Sequence, residues 1–584
     1  MYYTQFSGSL PLTALGGGLL FVYLVVSSAA TWYRLRKFRG PLLAQFSYFY
    51  IFRNLISGEH GKRYHQLYED YGRDDLIRIG PNDLLASTPA MVRHMNSVRS
   101  PYLRSSWYRA LRLDPYRDNL FSVINTAHHD KLKAKLAFGY SGKDVPTIES
   151  DIDEQLGMLV SLIKRKYLST PYKYRPFDMG SAATFFAVDS ISSISFGKAF
   201  GNLEEGVDLY EYEEFAKVCG MKASAVAEIP WLGDIFFYPP ILRLVGPKVT
   251  DKKGLGMFMR FAYELLDERF GPDATDQRDM LASPSLAVEV DKGSCTNLRK
   301  DQGSFIRHGI SKEHCKAEII FQILAGSDTT AHAVRATMLS IMTCPRVYAR
   351  LQAEIDAAIA DGRIKCNPAS AEEAVLREGL RFSPPTTALA AKQVPPEGDT
   401  FEGRFLPGGT RVSINIISVQ RSKDVFGEDA DVFRPERWLD ISDEKYREMS
   451  QVVDQVFGWG RWQCLGKQIA LMELNKLTVI TATAPLQFRG GKSGAAVVEF
   501  RPHALGCLGF QGFGIIKATF KRLEGSLKVG AQQDRFTKTA EQTEAAAKQD
   551  AAFHVAEDSP EIDLVNYLRE NSSPSSMKEE GVSS

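Results

Sequence analysis

Paired cysteines, clustered histidines and an excess of either charge are all missing from this chain. Its seven cysteines (Cys219, Cys295, Cys315, Cys344, Cys366, Cys464, Cys507) stand far apart, with no C-x-x-C pair and no histidine group at zinc-finger spacing. That excludes a disulfide framework or a zinc module as the organising device, and it suits a reducing compartment. Lys and Arg total 71 against 70 Asp and Glu, so no global field draws the chain to nucleic acid or to an acidic surface. No internal repeat is present, and no Gly-rich dinucleotide fingerprint follows a strand-like run. At 584 residues the chain exceeds a usual single core, which leaves several domains or one large enzyme fold with appendages.

Charge is also missing locally. No charged side chain precedes Arg34, and Leu10 to Trp32 is dominated by Leu, Val, Phe, Ala and Gly, long enough to span a bilayer that needs about 20 apolar residues. Arg34, Arg36, Lys37 and Arg39 follow at once, and positive charge on that side keeps the downstream chain cytosolic. A cleaved signal peptide is the rival reading, since Ser27-Ser28-Ala29-Ala30 resembles a cleavage site, but such a peptide carries its positive charge before the apolar run. The pattern predicts a single-pass anchor over residues 1–33 and a basic linker and hinge over 34–59.

Behind Gly40-Pro41 the pattern becomes mixed. Leu76 to Ile79 and Asp83 to Ala86 read as strands joined by the turn chemistry of Gly80-Pro81-Asn82. From about residue 124 to 380 apolar residues recur at helical spacing, as in Ile152 to Tyr167 and Ala317 to Met342. Short strands return in Thr410 to Ile416 and around Gly514 to Phe520. From 525 to 584 aromatic and branched apolar density is lost and the chain ends in Ser, Glu and Lys, the composition of a disordered tail.

Four short stretches carry chemistry. In Phe457-Gly458-Trp459-Gly460-Arg461-Trp462-Gln463-Cys464-Leu465-Gly466 a cysteine sits in a Gly-rich loop just ahead of an amphipathic helix. The free N–H groups and positive end of such a helix favour the metal-ligating thiolate, although a lone cysteine is more often a small buried hydrophobe. Ala325-Gly326-Ser327-Asp328-Thr329-Thr330 puts four consecutive polar side chains in the middle of an apolar helix, costly when buried without partners. Glu378 and Arg381 share a helical face, and Arg437 lies in Pro435-Glu436-Arg437-Trp438; alone, such pairs are common on solvated helices. His129 and Lys133 share one turn of another helix, whose Lys131 and Lys135 share a second face.

In this order the four stretches resemble the cytochrome P-450 family, whose cysteine loop reads F-x-x-G-x-R-x-C-x-G, over roughly residues 40–522. The local flavour of Gly460 to Cys464 looks like filamentous-fungal members that tailor secondary metabolites. The resemblance implies a mainly α, triangular fold with small β-sheets and an N-terminal transmembrane anchor, the catalytic domain spanning 60–524. It implies haem (iron protoporphyrin IX) with Cys464 as the metal ligand, His129, Lys133, Arg461 and Trp462 as further cofactor-binding residues, and Asp328 and Thr329 as catalytic residues delivering protons. Glu378, Arg381 and Arg437 would form a structural triad beneath the haem. Leu120, Phe121, Phe321, Thr386, Ala388 and Leu389 fall where substrate contacts lie, or pack as ordinary core.

Three departures stand out. Lys133 occupies an arginine position, keeping charge but losing the bidentate fork. Trp462 stands where a propionate-binding Arg or His is usual. Residues 282–302 interrupt an otherwise continuous pattern, as an inserted surface loop or a translated intron. The resemblance implies a monooxygenase acting on a lipophilic small molecule with O2 and with electrons from an NADPH-cytochrome P-450 reductase, at a membrane, in the endoplasmic reticulum, with no nucleic-acid partner. The alternatives are a haem-thiolate isomerase or dehydratase, and a non-catalytic haem-binding membrane protein.

Overall fold

The computed structural model describes residues 9–167, 175, 177–269, 279–281, 304–360 and 371–483. The interrupting stretch 282–302, the strand-like run near residue 514 and the segment 525–584 lie outside them.

Helix α1 (Ser9–Leu35) has 27 residues, about 40 Å at 1.5 Å per residue. Side chains are described for only part of it; counted on those, no helix is long and apolar enough to cross a membrane. After α1 a small sheet forms. Strands β1 (Leu76–Gly80) and β2 (Asp83–Ala86) pair antiparallel, with Leu76 opposite Ala86, as the turn chemistry between them predicts. The sheet is completed from far along the chain, by β3 (Leu103–Arg104), β4 (Lys392–Gln393) and, beyond the hairpin β5 (Asp399–Phe401)–β6 (Arg404–Leu406), β7 (Arg411–Ile414), in the order β1-β2-β7-β4-β3. The predicted strand Thr410 to Ile416 is thus β7, cut short because Asn415 caps a following turn of helix through Ser418 N.

The helical body follows the predicted periodicity. Helix α2 (Thr126–Tyr140) starts at Asn125, whose side chain accepts from His128 N at 2.9 Å, the usual satisfaction of an otherwise orphaned first-turn N–H. Helices α3 (Ile148–Leu162), α4 (Met179–Phe196), α5 (Tyr212–Glu228) and α6 (Leu255–Arg269) precede the long α7 (Lys312–Met342), capped by Ser311. α7 runs through the middle of the body and packs along α4. The crossing is close because Gly326 has no side chain: a Cβ there would lie 2.7 Å from Ile191 Cγ1. Helices α8 (Pro345–Ala360), α9 (Ala371–Phe382) and α10 (Lys467–Thr483) pack beside α7.

Sheet and helices are joined by a buried charge cluster. Asp83 and Arg411 are register partners on β2 and β7 and form a 2.9 Å ion pair, both almost fully buried. Beside them, at the end of α5, Glu228 is buried with its Oε2 lacking a hydrogen-bond partner. Burial, reinforced by Asp83 and opposed by Arg411, pushes this carboxyl up to about 8. Glu228 is therefore held neutral in the fold, while in the unfolded chain it ionises near its ordinary value of 4.5. The stability it contributes is full below that ordinary value and is lost as pH rises toward 8. Between pH 5.5 and 7.5 the unfolding free energy of the detergent-solubilised protein should fall relative to Glu228→Gln by about 1.4 kcal/mol per pH unit. Parallel denaturant titrations of the two proteins measure this, and parallel pH profiles would place Glu228 in water.

Candidate functional site

Three sets of residues concern the loop that ends at Cys464 and the helices packed with α10. The first lies on α9, which packs against α10. Glu378 and Arg381, one turn apart on α9, are both 0% exposed, and the Arg381 fork donates to both carboxylate oxygens at 2.8 and 2.7 Å. Arg437 Nε reaches Glu378 Oε1 at 3.0 Å, Trp438 Nε1 reaches Oε2 at 3.0 Å, and Arg434 N donates to Oε1 at 2.8 Å. The remaining arginine N–H groups go to backbone carbonyls, Arg381 to Gln420, Ala430 and Val432, Arg437 to Phe426, Asp429 and Val432, and Arg437 Nη1 also to the Asp429 carboxylate at 3.0 Å. Burial by itself would raise the Glu378 carboxyl; Arg381 and then Arg437 outweigh it and hold it below the ordinary range. The bland reading of an exposed helical pair does not describe these residues.

The second set is the loop itself. Gly460 has φ +57, and a Cβ there would lie 2.6 Å from Asn96 O, so only glycine lets the loop lie against the helix Pro89–Asn96. Cys464 N donates to Phe457 O at 2.7 Å, and α10 starts three residues after the thiol. Protein around Cys464 raises its thiol by burial, against the Gly466 and Lys467 N–H groups and Lys133, while the residue itself stays exposed and unpacked by other side chains. Lys133 Nζ donates to Arg461 O and Gln463 O at 2.8 and 2.7 Å, tying α2 to the loop. Arg461 donates to Val98 O at 2.9 Å, lies 3.5 Å from Asp130 and stands close enough to Lys392 to disfavour its charge. Its guanidinium thus staples the loop to its neighbours.

The third set lies on α7, which packs against α10. α7 is largely buried, but Phe321, Ala325, Asp328 and Thr329 are partly open, with Phe321, Ala325 and Thr329 one stripe at four-residue spacing. Thr329 Oγ1 donates to Ala325 O at 2.8 Å, and the next residue, Thr330, meets Glu473 of α10 at 3.2 Å, linking α7 to the helix that carries the cysteine loop. Burial pushes the Glu473 carboxyl up to about 8. Asp328 lies close enough to Arg335 to be felt by it, and Arg335 is anchored on Gly180 O at 2.9 Å. Phe121 stacks on Phe321 with centroids 5.4 Å apart, and Ala388 packs with Trp107 and Tyr108. Leu389 instead joins Tyr64, Ile77 and Leu85 in the core behind the sheet. Leu120 and Thr386 act locally: Leu120 N donates to Glu318, and Thr386 Oγ1 accepts from Ala388 N.

Two functional candidates had no motif to mark them. Arg104 on β3 and Lys392 on β4 stand directly opposite in register, 4% and 1% exposed. Arg104 Nη1 donates to Leu120 O, Phe121 O and Val123 O, all at 2.9 Å, but its Nε and the Lys392 Nζ have no hydrogen-bond partner. His129 is buried beside them, and burial, with Arg104 and Lys133, pushes it down to about 3, so it is neutral. Buried cations without acids demand an anion. Haem fits this arrangement: a flat apolar ring with two carboxylates answers the buried cations, and its iron needs one protein thiolate. No group of three or more His, Cys, Asp or Glu among the described residues could chelate a bare ion instead.

A family model described as Cytochrome P450 matches residues 27–481. Cytochrome P450 monooxygenase ABA1 of Pyricularia oryzae is 42% identical over 469 residues, covering 78% of this chain and 88% of the relative. Cytochrome P450 monooxygenase aba1 of Botryotinia fuckeliana is 38% identical, covering 76% and 84%, and abl1 of Leptosphaeria maculans is 35% identical, covering 78% of each. Among solved structures, the crystal structure of the cytochrome P450DA heme domain shares the fold with a TM-score of 0.56 at 16% identity, over 76% of this chain and 90% of that one.

Removing the cation from the best-built of the three sets gives a direct check. Arg381→Ala leaves the Glu378 carboxylate with Arg437 as its one remaining cation and takes the arginine donor from the Gln420 and Ala430 carbonyls, a loss of about 3–5 kcal/mol for a broken buried pair. Chemical unfolding of the haem-free protein should show it, and Arg381→Lys should recover only part because it lacks the fork. A variant as stable as wild type would mean that the buried network is not formed.

Proposed function

From a chain that belongs to the cytochrome P450 family and is a haem-dependent monooxygenase, we propose a membrane-anchored enzyme that oxidises a lipophilic small molecule in fungal secondary metabolism. The single observation that carries the site is Cys464: an exposed thiol at the start of α10, the helix that packs against α7 with its polar motif in an apolar run. When bound there, haem supplies the one-electron chemistry that activates O2 and transfers one oxygen atom to substrate.

The chain's own residues hold, shield and supply protons. Cys464 gives its thiolate, with Lys133 fixing the loop and adding positive charge beside the sulfur. Thr329 donates its only hydroxyl proton to Ala325 O, which leaves its oxygen lone pairs as acceptors on the open stripe of α7, able to hold a water in line. Asp328, one residue away and in the field of Arg335, passes protons from solvent to that water. The stacked Phe121 and Phe321, with Trp107 and Tyr108 behind them, give an apolar wall that suits a lipophilic substrate and keeps bulk water out.

Electrons come from a separate NADPH-cytochrome P-450 reductase, since the sequence has no dinucleotide fingerprint. The exposed Lys131 and Lys135 on α2, next to the cysteine loop, suit an acidic partner. The membrane reading is supported by the uncharged run Leu10 to Trp32, the basic residues after it and the 27-residue helix that contains the run and ends one residue past Arg34. That orientation puts the catalytic part in the cytosol, at the endoplasmic reticulum.

Two substitutions test the site. Cys464→Ser should abolish the red-shifted band of the reduced carbon-monoxide complex, because a hydroxyl is a poor soft ligand at neutral pH; a variant that keeps the band would end the assignment of Cys464. Thr329→Ala should leave stability almost unchanged, alanine being the better helix former, while product formed per NADPH oxidised falls and hydrogen peroxide rises. An unchanged product ratio at saturating substrate and reductase would reduce the Thr329 hydroxyl to a helix back-bond.

A further inference from the structure

Trp462 stands two residues before Cys464, on the turn Gly460–Trp462, at the position where the family pattern carries a cation. Its ring is enclosed by charge. Lys392 Nζ lies 3.6 Å from the indole centroid and Arg104 Cζ 4.4 Å from it, while the His129 ring packs at 4.4 Å. The same two cations also face Tyr108, at 5.3 and 4.5 Å. Arg104 and Lys392 are cross-strand neighbours on β3 and β4, a placement in which like charges repel. Both are buried, Lys392 Nζ has no hydrogen-bond partner, and burial, with Arg104 and Arg461, pushes its ammonium well below the ordinary lysine range, so its charge needs a stabilising partner. A cation in that position is stabilised by the negative face of an aromatic ring, most strongly by indole and most where water is excluded.

We infer that Trp462 is a positioning residue whose indole face holds Lys392 and Arg104 as a fixed pair of cations beside the cysteine loop, so that counter-charge for the haem carboxylates comes from strands β3 and β4. The inference rests on haem binding at Cys464. An arginine at position 462 would bring one more positive charge against cations that already disfavour one another. Tryptophan instead exerts its effect through its neighbours: it lets two buried cations coexist, and it fixes them relative to the residue that ligates the metal. Arg104 extends the effect further, since its other N–H groups hold the backbone of Leu120, Phe121 and Val123, the segment whose Phe121 lies against α7.

The test uses haem-loaded protein and two readouts other than turnover: the rate of haem transfer to excess apomyoglobin, and the haem reduction potential. Trp462→Phe keeps an aromatic face and should stay close to wild type in both. Trp462→Leu should release haem about tenfold faster, the loss expected when a buried cation–π contact is removed, and its potential should fall as positive charge moves away from the haem. In a Lys392→Met background the further change Trp462→Leu should have little effect, because the cation it positions is already gone. Trp462→Arg should retain haem no better than Trp462→Leu. Retention above wild type in Trp462→Arg, or equal effects of Trp462→Leu in both backgrounds, would overturn the positioning role and leave Trp462 as filler. A wild-type protein that takes up no haem overturns the underlying reading as well, and is seen before any variant is made.

Discussion

The buried Glu378 carboxylate is the constraint on which the cysteine loop depends. A carboxylate taken out of water costs several kcal/mol unless its oxygens are fully answered, and here they are answered by two arginines, an indole N–H and a backbone N–H. None of these donors is local except Arg381. By reaching residues 434, 437 and 438, and through the two arginines the carbonyls of 420, 426, 429, 430 and 432, the network fixes an irregular segment that has little regular secondary structure of its own. That segment leads directly into the helix and turn that precede Phe457. The charge at residue 378 therefore does structural work at a distance: it orders the approach to a loop whose own contacts are mostly backbone.

Charge is handled differently on the other side of the loop. At the triad every cation has an acid; around Trp462 the cations Arg104 and Lys392 have aromatic faces and carbonyls but no carboxylate bond. The first arrangement is complete within the protein, and the second leaves Arg104 Nε and Lys392 Nζ without hydrogen-bond partners. This asymmetry is what distinguishes a structural cluster from a binding one when both are buried and both contain arginine. A third cluster, Asp83–Arg411–Glu228, sits between these extremes: one acid is paired and the other is kept neutral by burial.

Much of this was legible along the chain. The helical periods gave α3 and α7, the turn chemistry gave β1 and β2, and the order of the cysteine loop, the polar motif on a helix, the E-x-x-R pair and the later arginine gave the family and its cofactor. The substrate candidates were only partly legible: Phe121 and Phe321 meet, whereas Leu389 turns into the core behind the sheet, because a residue's facing at the end of an irregular segment is set by its partners and not by spacing. Arg461 shows the same limit, since nothing in its sequence neighbourhood says that its guanidinium turns to Val98 and Asp130.

What the sequence determined by itself was therefore the chemistry that depends on residue type at short range: a cysteine at a helix start, polar groups interrupting an apolar helix, an acid and a base one turn apart. What only the tertiary structure decided was which charges are shared between distant segments. Arg104 and Lys392 are separated by about half of the chain and belong to two-residue strands with no motif, yet they are register neighbours and meet under Trp462. Pairing across a sheet is fixed by the packing of the whole body, and burial, which turns an ordinary lysine into an anion-seeking group, exists only once that packing is complete.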